Sequence, residues 1–141
     1  MFLMDTDHFG IFQQQSGPEC ARLVVRLAAR HYEDVVVPII SFHEQVMGWS
    51  FYLHQKRTPE QIIRAYRRLE AILEDFTKVN VVGYDTAASS TFDALRVQRL
   101  RVGTMDLRIA SIALSRDWTV LTRNTVDFEK VPNLKIEDWT K

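Results

Sequence analysis

The chain has 141 residues, with 18 lysine and arginine against 18 aspartate and glutamate, so its formal net charge is zero. That length suits one domain, 1–141, and 46% apolar content suffices for a core. Balanced charge excludes a globally basic nucleic-acid binder, and a single cysteine, Cys20, excludes an internal disulfide and a cysteine-built zinc site.

Met1–Asp5 lacks the basic start and apolar stretch of a signal peptide, and no apolar run approaches the ~20 residues that cross a bilayer. The expectation is a cytoplasmic protein with no membrane contact. Phe2-Leu3-Met4 reads as a first buried strand. Ser16-Gly17-Pro18-Glu19 then reads as a capping box with an early proline. Val35 to Ile40 is a second strand, and Pro38 argues that it is not fully paired on both sides. Ser41-Phe42-His43-Glu44 is a capping box directly after it. The helix it opens carries Phe42, Val46, Trp49 and Leu53 as one stripe, with Met47 and Phe51 well round from it. That wide apolar surface implies either a second contact, with a partner helix, or burial on two sides within the monomer. Thr58-Pro59-Glu60-Gln61 opens an amphipathic helix through Phe76.

Val79 to Val82 is a third strand, and Asp85 caps a helix to about Arg101. Thr104 caps the next, to about Arg116. Trp118 to Thr122 is a fourth strand, and Leu134-Lys135-Ile136 a short edge strand. Strands alternating with helices imply an α/β fold in three layers, with a mainly parallel sheet covered on both faces. Ligands of such sheets bind beyond the carboxyl ends of the strands, where strand order reverses.

Four acids fall at that edge. Asp5 ends the first strand, Glu44 lies one turn into the following helix, Asp106 lies in the first turn after Gly103, and Asp127 follows the fourth strand. Asp7, Thr122 and Asn124 are polar neighbours there. Two like charges about 4 Å apart repel by roughly 4 kcal/mol at an effective dielectric near 20. A hard divalent cation, Mg²⁺ or Mn²⁺, removes that repulsion and suits phosphodiester hydrolysis. Taken singly, each acid also has a structural reading: Asp5 as a turn cap, Glu44 as the third position of its capping box, Asp106 and Asp127 as partners of a helix dipole. Arg96, Arg99, Arg101 and Arg108 cluster around the third acid, either contacting RNA phosphates or forming a solvated helix face. His8 and His43 each neighbour a site acid, placed either to contact substrate or steady a carboxylate or, as a lone histidine more often is, to serve the structure, and neither is assigned a catalytic role. The competing interpretations are a non-catalytic RNA- or protein-binding module and a phosphoryl-transfer or receiver domain.

With these residues placed, the chain resembles the PIN-domain nucleases, and within them the VapC toxins of toxin–antitoxin modules. The likeness runs through Leu3-Met4-Asp5-Thr6-Asp7, Ser41-Phe42-His43-Glu44, Asp106-Leu107-Arg108-Ile109-Ala110 and Thr122-Arg123-Asn124 with Asp127-Phe128. It implies a PIN-like α/β/α domain whose catalytic acids are Asp5, Glu44, Asp106 and Asp127, the first three as metal ligands or water activators. Asn124 assists, or itself fills the fourth position. Asn124, Thr122, Arg99 and Arg108 are the implied substrate contacts. The implied reaction is Mg²⁺- or Mn²⁺-dependent endonucleolytic cleavage of structured RNA, leaving 5′-phosphate and 3′-hydroxyl ends. The implied partners are a small VapB-like antitoxin and a second copy in a homodimer, with operator DNA reached only through the antitoxin.

Overall fold

A computed structural model describes residues 1–141. Five parallel strands form one sheet in the order β3-β2-β1-β4-β5: β1 Phe2–Met4, β2 Val35–Pro38, β3 Val81–Val82, β4 Thr119–Leu121 and β5 Lys135–Glu137. The chain steps outward from β1 to β2 and β3, then returns to the far side of β1 as β4. The reversal point therefore lies between β1 and β4, as the alternation of elements predicts. Asp5 N–H donates to Leu121 O at 3.0 Å, carrying this pairing one residue past β1.

Period-two alternation sorts the strand side chains into two cores. Leu3, Val36 and Val120 face one way and pack with α5 (Thr86–Arg96), α6 (Thr104–Leu114) and Phe128 of α7 (Thr125–Phe128). Met4, Val37 and Leu121 face the other. They pack with α1 (Thr6–Gln14), α2 (Gly17–Ala28), α4 (Pro59–Thr77) and Trp139. Both faces are thus covered, with about 1.5–3 kcal/mol contributed by each large apolar side chain taken fully out of water. No helix is long and apolar enough to cross a membrane.

Several boundaries differ from expectation, each for a local reason. Helix α1 was not expected; Asp5 starts it by accepting from His8 N–H at 2.8 Å. α3 (Ile39–Leu53) starts two residues before the expected box, with Pro38 as N-cap, where its missing N–H costs nothing. Ser41 is therefore inside the helix, fully buried, and no capping box forms there. Pro38 pairs only toward β3, at Val82, as its chemistry requires. α5 ends at Arg96 rather than near Arg101, and Arg99 takes a left-handed turn conformation (φ 53°). Gly103, not Thr104, is the N-cap of α6, which ends at Leu114. α5 and α6 form an antiparallel pair: Arg116, just past the end of α6, binds Asp85 at the start of α5 at 2.6 Å. Their connecting turn therefore lies at the same edge as Asp106.

Of the two proline-containing helix starts, only Thr58 caps. Its hydroxyl accepts from Gln61 N–H and the Gln61 side chain accepts from Thr58 N–H, whereas the Ser16 side chain makes no cap bond. Thr58→Ala is expected to cost about 1 kcal/mol and Ser16→Ala at most about half of that. Urea unfolding with an unchanged m-value checks the pair.

Candidate active site

Asp5, Glu44, Asp106 and Asn124 line one cavity of about 580 Å³ with Thr6, Asp7, Gly10 and Arg123. Each acid arrives on a different element. Asp5 is the residue after β1, and its Oδ1 is held by the first turn of α1. Glu44 projects from α3 and is fixed by Thr6, whose Oγ1–H donates to Glu44 Oε1 at 2.6 Å. That hydroxyl has spent its proton, so Ser41 Oγ–H donates back to it at 2.9 Å. The capping explanation of Glu44 is thereby overturned: its partner is a side chain across the cavity, not the helix start.

Asp106, in the first turn of α6, accepts from Asn124 Nδ2 at 3.1 Å. Its carboxyl is raised to about 6, chiefly by burial, then by the charges of Glu44, Asp5 and Asp127, against the Asn124 bond. Asp127 stands apart. It binds Lys130 Nζ at 2.6 Å and Asn124 Nδ2 at 3.1 Å, which hold it below the usual carboxylate range, and it does not line the cavity. Asn124 bridges the two aspartates and occupies the place at the cavity wall.

As the side chains stand, no three acidic, histidine or cysteine groups are grouped closely enough to hold a common ion. Asp5, Glu44 and Asp106 nevertheless share the cavity, with one oxygen of Glu44 engaged by Thr6. The donor set still fits a hard divalent ion. It is built of carboxylate oxygens, and burial, followed by the charges of Glu44, Asp5 and Asp127, raises the Asp106 carboxyl. Mg²⁺ commonly takes one or two carboxylates and keeps waters for the rest of its shell, a demand that Asp5 and Asp106 can meet.

No protein-family model matches the chain. Over 75 residues it is 37% identical to the tRNA(fMet)-specific endonuclease VapC of Shigella flexneri, covering 50% of this chain and 57% of that protein. The protein of the same name from Salmonella typhimurium is 38% identical over 74 residues, covering 49% and 56%. The chain thus matches little more than half the length of these curated relatives. Solved structures extend the likeness to the whole fold. A DNA-bound VapBC complex from Salmonella typhimurium superposes with a TM-score of 0.73 at 25% identity, over 98% of this chain and 97% of that one. VapBC2 from Rickettsia felis, bound to a promoter DNA fragment, gives 0.71 at 22% identity over 99% of each. This is the VapC fold. The likeness read from the motifs extends in sequence over about half of the chain and in fold over nearly all of it.

Within this VapC fold the expected substrate contacts separate. Thr122 is fully buried; its Oγ1 accepts from Asn124 N–H at 2.9 Å, so it shapes the turn and cannot touch a ligand. Arg108 lies over the Phe92 ring, 5.7 Å from its centroid, and is not at the cavity. Arg99 is exposed in the α5–α6 turn with Arg96 and Arg101, at the acidic edge. Arg123 was assigned no role from sequence. It stands at the cavity wall, pinned by Asp7 Oδ2 at 2.6 Å and Glu19 Oε1 at 2.8 Å. Its signal was available: a cation inside the last motif, between Thr122 and Asn124.

A carboxyl whose pKa rises on folding stabilises the native state only while protonated. Its contribution is complete below about pH 4 and is lost as pH rises through about 6. Asp106→Asn removes that penalty. Because the carboxyl is only half-buried and solvent screens it, the variant is expected to stabilise the metal-free protein at pH 7.5 by about 1 kcal/mol, with the gain vanishing near pH 4. Thermal melts of both proteins across that range, in EDTA, measure the difference.

Proposed function

We propose that the chain is a divalent-metal-dependent endoribonuclease of the VapC kind, cutting phosphodiester bonds of structured RNA such as transfer or ribosomal RNA. The observation that carries this reading is the convergence of Asp5, Glu44 and Asp106 on one cavity at the point where strand order reverses. A module that merely bound RNA would gain nothing from three acids facing phosphate. The names of the curated relatives, endonucleases and ribonucleases, support the same class of chemistry.

Asp5 and Asp106 are the residues to hold Mg²⁺ or Mn²⁺. Such an ion, when bound, neutralises the crowded carboxylates and the phosphate and acidifies water. Glu44, oriented by Thr6 through one oxygen, offers the other as acceptor for the proton of the attacking water. Asn124 keeps Asp106 facing the cavity and away from free rotation. Arg123, positioned by two carboxylates yet open to solvent, contacts a phosphate beside the cut. Arg96, Arg99 and Arg101 at the neighbouring turn attract the RNA backbone without reading its sequence.

Partners follow from the surface and the structural relatives. Phe42, Val46 and Trp49 of α3 pack against the core, whereas Met47 (47% exposed) and Phe51 (70%) do not. Burial on two sides within the monomer is therefore excluded for this helix. Ile63, Tyr66 and Leu73 of α4 are likewise exposed. Apolar helix faces of this kind fit partner helices. The occupants proposed are a VapB-like antitoxin and a second copy of the chain, since the similar structures are VapBC complexes. Two of those are bound to DNA, which supports operator contact through the antitoxin.

Purified protein is expected to cleave labelled transfer RNA with Mg²⁺ or Mn²⁺, to stop in EDTA, and to release 5′-phosphate ends. Glu44→Gln should lose about 10²–10⁴ of the rate, and Asp5→Asn essentially all of it with the fold intact by circular dichroism. Undiminished cleavage by cleanly prepared Asp5→Asn protein would remove the proposed site.

A further inference from the structure

His8 is the one buried ionisable side chain beside the site that the chemistry above leaves unused. It is fully buried in α1, and its Nδ1 is the single buried side-chain nitrogen or oxygen without a hydrogen-bond partner. That atom lies 3.5 Å from Asp5 Oδ1, the carboxylate oxygen already held by His8 N–H at 2.8 Å. The other ring nitrogen, Nε2, accepts from Trp139 N–H at 3.2 Å. A nitrogen that accepts a hydrogen bond carries no proton, so the ring proton belongs on Nδ1, on the side of Asp5. Asp138 Oδ1 lies 3.6 Å from Nε2, beyond hydrogen-bond reach, and is satisfied by Thr140 N–H at 2.9 Å and Thr140 Oγ1–H at 2.6 Å.

The segment that delivers the Trp139 N–H is itself anchored. Trp139 is 1% exposed, its indole N–H donates to Glu137 Oε2 at 2.6 Å, and Arg22 Nε–H of α2 donates to Thr140 O. The tautomer is thus set by a stretch of backbone far from Asp5 in sequence and rigid in the fold.

We infer that His8 is a positioning residue for Asp5: the 138–140 segment fixes its proton on Nδ1, 3.5 Å from Asp5 Oδ1 and short of a made hydrogen bond, so that the N–H dipole favours that oxygen where it stands and leaves Oδ2 for a cation. Ligating carboxylates held by such outer partners bind metal more tightly because their orientation is set in advance, and losing the partner typically costs about 10- to 100-fold in affinity. The inference rests on the metal site proposed above. It adds that the chain's last strand and the residues after it belong to that site's support.

Three variants separate bracing from mere packing. His8→Gln places an amide near Nε2 and loses the donor at Nδ1; His8→Asn places its amide nitrogen near Nδ1; His8→Phe keeps bulk and loses both. Mn²⁺ titration followed by electron paramagnetic resonance, on protein shown folded by circular dichroism, is the readout. His8→Gln and His8→Phe are expected to bind Mn²⁺ about 10- to 100-fold more weakly, with His8→Asn restoring most of the loss. Folded His8→Gln protein with wild-type affinity overturns the inference. Nitrogen-15 histidine spectra of the metal-free wild type give a second readout. The Nδ1–H tautomer, with its Nδ1 resonance moved by Asp5→Asn, supports the brace. An Nε2–H tautomer refutes it whatever the metal does, whereas a wild type that binds no Mn²⁺ but shows the Nδ1–H form condemns the metal site and not the brace.

Discussion

Repulsion among carboxylates crowded into one crevice is the constraint around which this molecule is arranged. The polypeptide brings Asp5, Glu44 and Asp106 to the carboxyl edge of the sheet, between β1 and β4, burying the first and half-burying the other two. Of the three, Asp5 alone has a structural duty, starting α1 through His8 N–H. Leu3, Val36, Val120 and their counterparts on the opposite face would hold the sheet together with neutral residues at the edge. Burial first, and the neighbouring charges second, push the Asp106 carboxyl up to about 6, so the fold holds it ionised at a cost. Strain of this kind, concentrated at one place in an otherwise consistent fold, is what a functional site looks like in energetic terms.

The surroundings handle that charge by restraint, with few compensating cations. Thr6 holds one oxygen of Glu44, Asn124 holds one of Asp106, and the first turn of α1 holds one of Asp5. Each acid keeps a second oxygen for chemistry. The nearby cations are committed elsewhere: Arg123 is divided between Asp7 and Glu19, and Lys130 neutralises Asp127. A cavity walled in this way keeps a net negative interior behind a rim that includes a guanidinium. It favours small multivalent cations inside and phosphate at the mouth.

The strand positions and the parallel sheet were legible because β1, β2 and β4 are short apolar runs with turn chemistry at their ends. The acids were legible because they follow those runs. What sequence did not disclose were contacts that depend on distant elements meeting. Ser41-Phe42-His43-Glu44 has the form of a capping box, yet Ser41 is buried inside α3 and Glu44 is bound by Thr6, 38 positions away. Helix α1 was hidden because Gly10 and the run Gln13-Gln14-Gln15 blur its apolar period, although Asp5 three residues before His8 is a capping spacing. Thr122 looked like a ligand contact because it is polar and sits at the right edge, but the turn into Asn124 consumes its hydroxyl. Arg108 pointed the same way in sequence and is drawn over Phe92 instead.

The two outer strands bear on how the protein meets others of its kind. β3 has two residues, and β5 has three, with charged Lys135 and Glu137 flanking Ile136. Strands so short, one of them bearing charge, offer poor templates for a further strand. Growth of the sheet by edge pairing is therefore blocked at both ends. Association is left to helical surfaces, whose packing is side-chain specific, and the same economy of strand length disfavours stacking of the sheet into fibres.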